Sequence, residues 1–239
     1  MTLLEFAAAT AAIACGSIVQ AASGVGAGFL MVPMLAFIDL SLVPGPMIFA
    51  SLSLSGIMAW RERGAIDRDN LAPMFTGLLP GCALGAWIIS SVPGDQLGIV
   101  FAVVILLGIA LTVSGLDLPL NGTTALIAGG VAGTMGASSG IGAPVVAILY
   151  QHASGARVRS TLALIYTFAS LLILVALAVF GRFGVAEVQA GAALVPGFLV
   201  GYWVANRLRS RIDRLASRPI VLGVSAAAAI ALFIRSIAA

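Results

Sequence analysis

The sequence predicts an all-α, polytopic membrane protein with eight hydrophobic segments arranged in two inverted repeats. The composition indicates a membrane protein, because 61% of the 239 residues are hydrophobic and only 9% are charged. Soluble domains carry about 25% charged residues. The spacing of the charged residues defines the eight segments. A motif that occurs twice indicates that the chain consists of two repeats. The net charge of +3 comes from scattered arginines, so a nucleic-acid partner is not expected.

Eight stretches of the chain contain no Asp, Glu, Lys or Arg. A helix needs about 20 apolar residues to cross the hydrocarbon core, and most of the stretches have that length. A transmembrane β-barrel would instead show alternating polarity in segments of about 10 residues, and the sequence lacks that pattern. The stretches are Phe6–Ile38, Leu40–Trp60, Asn70–Gly94, Gln96–Leu116, Leu118–Ala156, Ser160–Gly181, Val188–Asn206 and Pro219–Ile234.

Two motifs recur at one constant offset. Ser23–Ala27 (SGVGA) returns as Ser139–Ala143 (SGIGA), 116 positions later. The same offset relates the PGxxxGxW motif of Pro80–Trp87 to that of Pro196–Trp203. Because both pairs of motifs share the same offset, we interpret the chain as two copies of one unit. The two predicted repeats, which form one integral membrane domain, comprise residues 1–116 and 117–239.

The first and fifth stretches have an unusual length. Phe6–Ile38 has 33 residues and Leu118–Ala156 has 39, which is long for one crossing and short of the about 44 needed for two crossings and a turn. Both are interrupted by glycines, and the second also by Pro144, residues that are costly inside a helix. We therefore expect each to form a re-entrant hairpin, a helix followed by a turn and a shorter returning helix. Such a turn must be covered by protein or line a cavity.

The arginines test this topology. If all eight stretches cross the membrane, the 12 arginines divide seven to five between the two sides, which is no bias. If stretches one and five are re-entrant, ten arginines lie on one side and only Arg182 and Arg235 on the other, as the positive-inside rule requires. Both termini are then outside a bacterial-type inner membrane. Each half has an odd number of crossings, so the halves are inverted, as in many secondary transporters.

The two glycine breaks predict an anion site. Where a helix restarts, its first N–H groups lack intrahelical partners and carry the positive end of the helix dipole. Two restarts, near Gly28 and near Pro144, would together hold an anion without any charged side chain. The candidate residues are Ser23, Gly24, Gly26, Gly28, Ser138, Ser139, Gly140 and Gly142.

Other positions have two alternative roles. Ser51 and Thr167 align at the same offset, and their hydroxyls either line a path or bond back to their own helix. Arg157 and Arg159 either attract anions or only follow the positive-inside rule. The break glycines themselves either contribute to the anion site or serve helix packing alone, the role expected of the small-xxx-small pairs. Those pairs are Gly81 and Gly85, Gly129 and Gly133, and Gly197 and Gly201.

The glycine breaks resemble those of the sulfite exporter TauE/SafE family. The family pattern, a glycine cluster followed by apolar residues and a proline, corresponds here to Gly24–Pro33, and its second copy to Gly140–Pro144. The resemblance covers essentially the whole chain. It implies an eight-segment transporter, typically an exporter and sometimes an importer, of small sulfur-containing anions such as sulfite, thiosulfate or sulfoacetate.

The expected function is therefore anion transport by alternating access, with a small anionic substrate and the lipid bilayer as partners. The oligomeric state stays open and includes a homodimer, and a passive channel of the same fold remains an alternative. A serine hydrolase is disfavoured, although Gly136–Gly140 matches GxSxG, because that motif needs a strand-to-helix elbow and His152 is the single histidine. No catalytic residue, metal or cofactor is expected. No carboxylate lies deep in a stretch, which disfavours proton coupling through one.

Overall fold

The computed structural model describes residues 2–23, 27–153, 155–215 and 218–238, and their regular secondary structure is helical throughout. The side chains of residues 22–27 and 208–220 are outside this description. Short 3₁₀ turns join several of the helices. The α-helices are α1 (Leu3–Ser23), α2 (Ala27–Ile38), α3 (Gly45–Arg61), α4 (Leu71–Ser91), α5 (Leu97–Val113), α6 (Gly122–Ser139), α7 (Ala143–Leu149), α8 (Gly155–Val179), α9 (Val185–Leu215) and α10 (Arg218–Ala238).

The fifth stretch breaks where its glycines and proline predict. Asn121 caps the start of α6 through a capping box with Thr124. Gly140 ends α6 in the left-handed conformation, with φ +81°, which a glycine adopts without a steric penalty. Pro144 lies in the first turn of α7, where no backbone N–H is needed. The returning helix α7 has 7 residues against 18 in α6.

Among the described residues, five helices are long and apolar enough to cross a membrane: α1, α4, α5 (counted from Gly94), α8 and α9. Shorter apolar helices cover Gly28–Ile38 and Val221–Ile237. The first stretch, like the fifth, contains two helices, and the second of them is the shorter. However, α1 has 21 residues, which is long for one arm of a re-entrant hairpin and enough for a crossing.

The closest helix packing depends on glycines, as the small-xxx-small pairs predict. A Cβ at Gly81 in α4 would collide with the carbonyl of Gly130 in α6, and one at Gly201 in α9 with the carbonyl of Ala14 in α1. The backbones therefore approach one another directly, which a larger residue would prevent. Similar crowding occurs at Gly85, Gly129, Gly133 and Gly197.

Helix contacts also follow the 116-residue offset, which relates α1–α5 to α6–α10. The packing of α1 on α9 corresponds to that of α6 on α4, and the packing of α3 on α9 to that of α8 on α4. The contact of α2 with α10 likewise corresponds to that of α7 with α5. The contact of α1 with α2 corresponds in turn to that of α6 with α7, and two further large contacts, α3 with α8 and α5 with α10, pair helices that are equivalent to each other.

Two arginines of α8 pair with carboxylates of the linker between α3 and α4. Arg157 lies 2.8 Å from Asp67, whose side chain is only 3% exposed. Arg159 lies 3.4 Å from Glu62. The Asp67 backbone N–H also donates to the Thr161 hydroxyl, at 2.9 Å. These carboxylates neutralise both arginines, so the prediction that Arg157 and Arg159 attract anions finds no support here.

The arginines that the sequence assigns to the other side contact different partners. Arg182, in the linker between α8 and α9, donates to the Val92 carbonyl at 3.0 Å. Arg235, near the end of α10, donates to the Phe37 carbonyl at 3.1 Å. Each contact joins the two halves of the chain, and both use backbone oxygens rather than carboxylates.

Candidate functional site

A cavity of about 100 Å³ lies between the two halves. Helices α2 and α3 of the first half and α6, α7 and α8 of the second supply most of its wall. On α8 the lining residues run from Ile165 to Ile173, which is the middle of that helix. Most of the lining is apolar, and the polar side chains among it are Gln20, Ser51, Ser55, Tyr166 and Ser170.

The glycine breaks of the two halves meet at this cavity. A Cβ at Gly28, in the first turn of α2, would lie 3.1 Å from the Gly140 carbonyl oxygen and 3.2 Å from Ile141 Cγ1. Gly142 is still more confined, since a Cβ there would lie 2.5 Å from the Ala132 carbonyl oxygen. The three glycines line the cavity. Their missing side chains let backbone from both halves form part of its wall.

The serines of the second break do not line the cavity. Ser138 donates to the Thr134 carbonyl at 2.8 Å, and Ser139 donates to the Met135 carbonyl at 2.9 Å. Ser139 also accepts the Ile141 N–H at 3.3 Å. Both side chains are buried. In this conformation their hydroxyls therefore bond to their own helix and to the turn that follows it.

Ser51 and Thr167, which the offset pairs, differ in position. Ser51 lines the cavity and also donates to the Ile48 carbonyl at 2.9 Å. Thr167 donates to the Ala163 carbonyl at 2.8 Å and is not among the lining residues. The two alternatives drawn from the sequence thus combine at Ser51, whereas Thr167 shows only the bond to its own helix.

The candidates of the first break are largely outside the described part of the chain. Gly24 and Gly26 lie in the undescribed residues between α1 and α2. Ser23 ends α1, and its side chain is not described. Of the predicted residues in this break, Gly28 is therefore the one whose surroundings are known.

Four polar lining residues were not singled out from the sequence: Gln20, Ser55, Tyr166 and Ser170. Tyr166 stands out because its hydroxyl oxygen is buried and has no hydrogen-bond partner, an arrangement that costs free energy unless a ligand relieves it. Gln20 could have been identified from the sequence, because a side-chain amide inside a long apolar stretch is rare and costly in lipid.

The site is chemically neutral. None of the lining residues that the structure describes carries a charge, and the described chain has no group of three or more His, Cys, Asp or Glu placed to hold a metal ion. The arrangement offers backbone groups, hydroxyls and one amide, which can hold a small anion by hydrogen bonds.

The residues considered for a serine hydrolase are not arranged for catalysis. Ser138 is buried and donates to backbone carbonyls, as described above. His152 lies on the exposed segment after α7, with its side chain 75% exposed, and its Nε2 is 2.9 Å from Asp117 Oδ1. An activated serine needs a base within hydrogen-bond reach, and the carbonyls that bond Ser138 are not bases.

A comparison with family models finds one described as Sulfite exporter TauE/SafE, which matches residues 8–232. The match includes both glycine breaks and every cavity-lining residue. No curated protein and no solved structure matches the chain significantly.

Proposed function

The chain belongs to the sulfite exporter TauE/SafE family, whose members are membrane transporters of sulfite-type anions, and from this premise we propose that it binds such an anion in the cavity between its halves. Sulfite, thiosulfate and sulfoacetate are the candidate substrates. The observation that carries the proposal is the meeting of Gly28 and Gly140, one from each half, at an uncharged cavity.

The proposed binding mode uses neutral donors. Helix α2 begins at Ala27 and has 12 residues, so its first N–H groups and its dipole favour an anion beside Gly28. Hydroxyl and amide groups of the lining complete the set of donors. Ser23, Gly24, Gly26, Ser138 and Ser139 remain candidates for direct contact in another conformation of the carrier.

We propose that the fifth stretch is re-entrant. The segments at its two ends lie together, since His152 pairs with Asp117 and the Gln151 side-chain amide donates to the carbonyl of Leu116 at 3.1 Å. A stretch that simply crossed the membrane would place these segments on opposite sides. The contact therefore supports a hairpin whose turn, at Gly140–Gly142, is covered by protein.

Inverted repeats are supported by the paired helix contacts. An arrangement in which α1 packs on α9 as α6 packs on α4 is expected when a two-fold axis relates the halves. The contacts of Arg157 with Asp67 and of Arg182 with Val92 join linkers that the inverted topology assigns to the same side. We infer that both termini face outward and that the arginine-rich linkers face the cytoplasm.

Alternating access in this arrangement requires the two halves to separate on one side at a time. The pairs Arg157–Asp67 and Arg159–Glu62 hold the arginine-rich side together. We propose that they open when the cavity faces the cytoplasm.

Flux into proteoliposomes tests the function. Sulfite, thiosulfate, sulfoacetate and chloride are supplied separately, with and without anion trapped inside. We expect saturable uptake of a sulfur anion that trapped substrate accelerates, and no comparable uptake of chloride. Saturation without acceleration by trapped substrate would favour the channel. No uptake of any sulfur anion would contradict the proposed function.

A further inference from the structure

We propose that the cavity selects a small oxyanion carrying a single negative charge, such as hydrogen sulfite, over one carrying two. This inference rests on the proposed function and narrows its substrate class. It follows from three properties of the cavity: the absence of compensating charge, the small number of free hydrogen-bond donors, and the volume.

The first property is the missing charge. No described lining residue is charged, and the whole stretch Phe6–Ile38, which includes the undescribed turn between α1 and α2, carries no charged residue in the sequence. The electrostatic cost of moving an ion out of water rises with the square of its charge, so a dianion costs about four times as much as a monoanion of the same size. Nothing in the lining offsets that difference.

The second property is the number of available donors. The hydroxyls of Ser51 and Ser55 both line the cavity, but each donates to a backbone carbonyl of α3, at 2.9 Å and 3.1 Å. Their remaining lone pairs would repel an anion. Only the side chains of Gln20, Tyr166 and Ser170 keep donor hydrogens uncommitted among the described polar lining. Three neutral donors and a helix terminus suit one negative charge better than two.

The third property is size. A volume of about 100 Å³ is enough to hold a small polyatomic anion. A sulfur atom with three oxygens needs room of this order. Sulfoacetate adds a carboxymethyl group and a second charge, so this uncharged lining suits it less well than hydrogen sulfite.

Methanesulfonate and sulfate make a useful pair of probes, because both are tetrahedral anions of similar size and they carry one and two negative charges. They also differ by a methyl group in place of one oxygen, so a second arm compares two charge forms of sulfite itself. Each is offered to wild-type proteoliposomes as a transported ion and as an inhibitor of sulfite uptake. We expect kcat/KM, or the inhibition constant, to favour methanesulfonate by at least ~10-fold. Equal or better use of sulfate would overturn the inference.

The second part of the experiment varies the pH, because sulfite changes from its singly charged to its doubly charged form as the pH rises through neutrality. Methanesulfonate keeps one charge throughout, so its flux reports any effect of pH on the protein, including Asp67, Asp117 and His152 at the helix ends. We expect the ratio of sulfite flux to methanesulfonate flux to fall as the pH rises. A constant or rising ratio would reject selection of the monoanion while leaving sulfite transport intact. Absence of saturable flux for every anion at every pH would reject the proposed function as well.

Discussion

At the scale of single residues, two tyrosines share an unusual property, and only one of them touches the cavity. The hydroxyl oxygens of Tyr166 and Tyr150 are both buried without a hydrogen-bond partner. Tyr166 lines the cavity and Tyr150 does not. We therefore propose that the Tyr166 hydroxyl binds the substrate and that the Tyr150 hydroxyl is only enclosed.

We predict that Tyr166→Phe raises KM for the transported anion by about 10- to 150-fold, because a hydrogen bond to a charged group contributes about 1.5–3 kcal/mol. Folding should be unaffected or slightly improved, since the unpaired hydroxyl is removed. Uptake kinetics and the thermal midpoint in detergent are measured together.

Tyr150→Phe is the matched control, and it should leave KM unchanged. Equal effects of the two substitutions on KM would show that Tyr166 has no direct role in binding. A lower thermal midpoint in Tyr166→Phe would assign that hydroxyl a structural role instead.

The break glycines differ in how much a side chain would disturb them. If Gly142 served only to bind the substrate, Gly142→Leu would abolish transport and leave expression intact. The structure alters that expectation, because the Ala132 carbonyl occupies the space that any side chain at Gly142 would need. We now expect Gly142→Leu to reduce the yield of folded protein.

Gly28→Ala is the cleaner test of close approach at the cavity. Its Cβ would meet the Gly140 oxygen at 3.1 Å, a contact that a shift of a few tenths of an ångström relieves. We predict a fall in kcat/KM of at least ~10-fold with the yield of folded protein retained. Wild-type flux in a well-expressed Gly28→Ala variant would contradict a binding role for this part of the wall.

At the scale of helices, two glycines allow a controlled test of close packing, because one lies at a crowded helix contact and the other faces open space. Gly81 in α4 packs against the backbone of Gly130, whereas a Cβ at Gly56 in α3 would meet nothing within 4 Å. We predict that Gly81→Ala destabilises the protein by about 1–3 kcal/mol through overpacking. Gly56→Ala should be neutral or stabilise it by about 0.5–1 kcal/mol, because alanine favours the helix.

Thermal unfolding of both variants in one detergent measures the difference. A Gly81→Ala variant as stable as wild type would mean that α4 and α6 separate easily. The same result at Gly56 is expected and serves as the reference for a harmless glycine replacement.

The ion pair between α8 and the linker from α3 to α4 is a second feature at this scale. Removing Arg157 leaves the buried Asp67 carboxylate without its partner. We predict that Arg157→Ala costs about 1–3 kcal/mol, less than for a fully buried pair because the Arg157 side chain is 49% exposed. The double variant Arg157→Ala, Asp67→Asn should recover part of that loss. Strictly additive effects on the thermal midpoint would show that the pair contributes nothing.

At the scale of the whole molecule, orientation in the membrane is the main open prediction. Gly64 and Gly94 lie in different linkers, and a Cβ at either position would meet nothing within 4 Å. We predict that a membrane-impermeant maleimide labels Gly94→Cys from outside intact cells, and labels Gly64→Cys only after the cells are opened. Both variants are made in a Cys15→Ala, Cys82→Ala background.

The reverse labelling pattern would invert the topology, and labelling of both positions from outside would reject it. Either result would leave the family assignment and the cavity in place, because neither depends on which side of the membrane faces the cytoplasm.

The membrane class, the helical fold and the position of the second break could be predicted from the sequence. They follow from local physics, because a backbone in lipid must satisfy its own hydrogen bonds and because Gly140 and Pro144 together stop one helix and start the next. The family could be predicted from the resemblance of the glycine motifs. The glycines of the helix contacts could also be predicted, since small-xxx-small spacing places two small residues on one face.

The identity of the polar groups around the cavity depends on tertiary packing. Ser51 and Thr167 are equivalent in the repeat, but Ser51 lines the cavity and Thr167 does not. Tyr166 lines it, and Asp67 is buried although it lies in a polar linker. These outcomes depend on how each helix is rotated and on how the halves pack together. Contacts between residues that are distant in sequence determine the rotation of each helix and the packing of the halves. Neither hydropathy nor local backbone preference predicts these contacts.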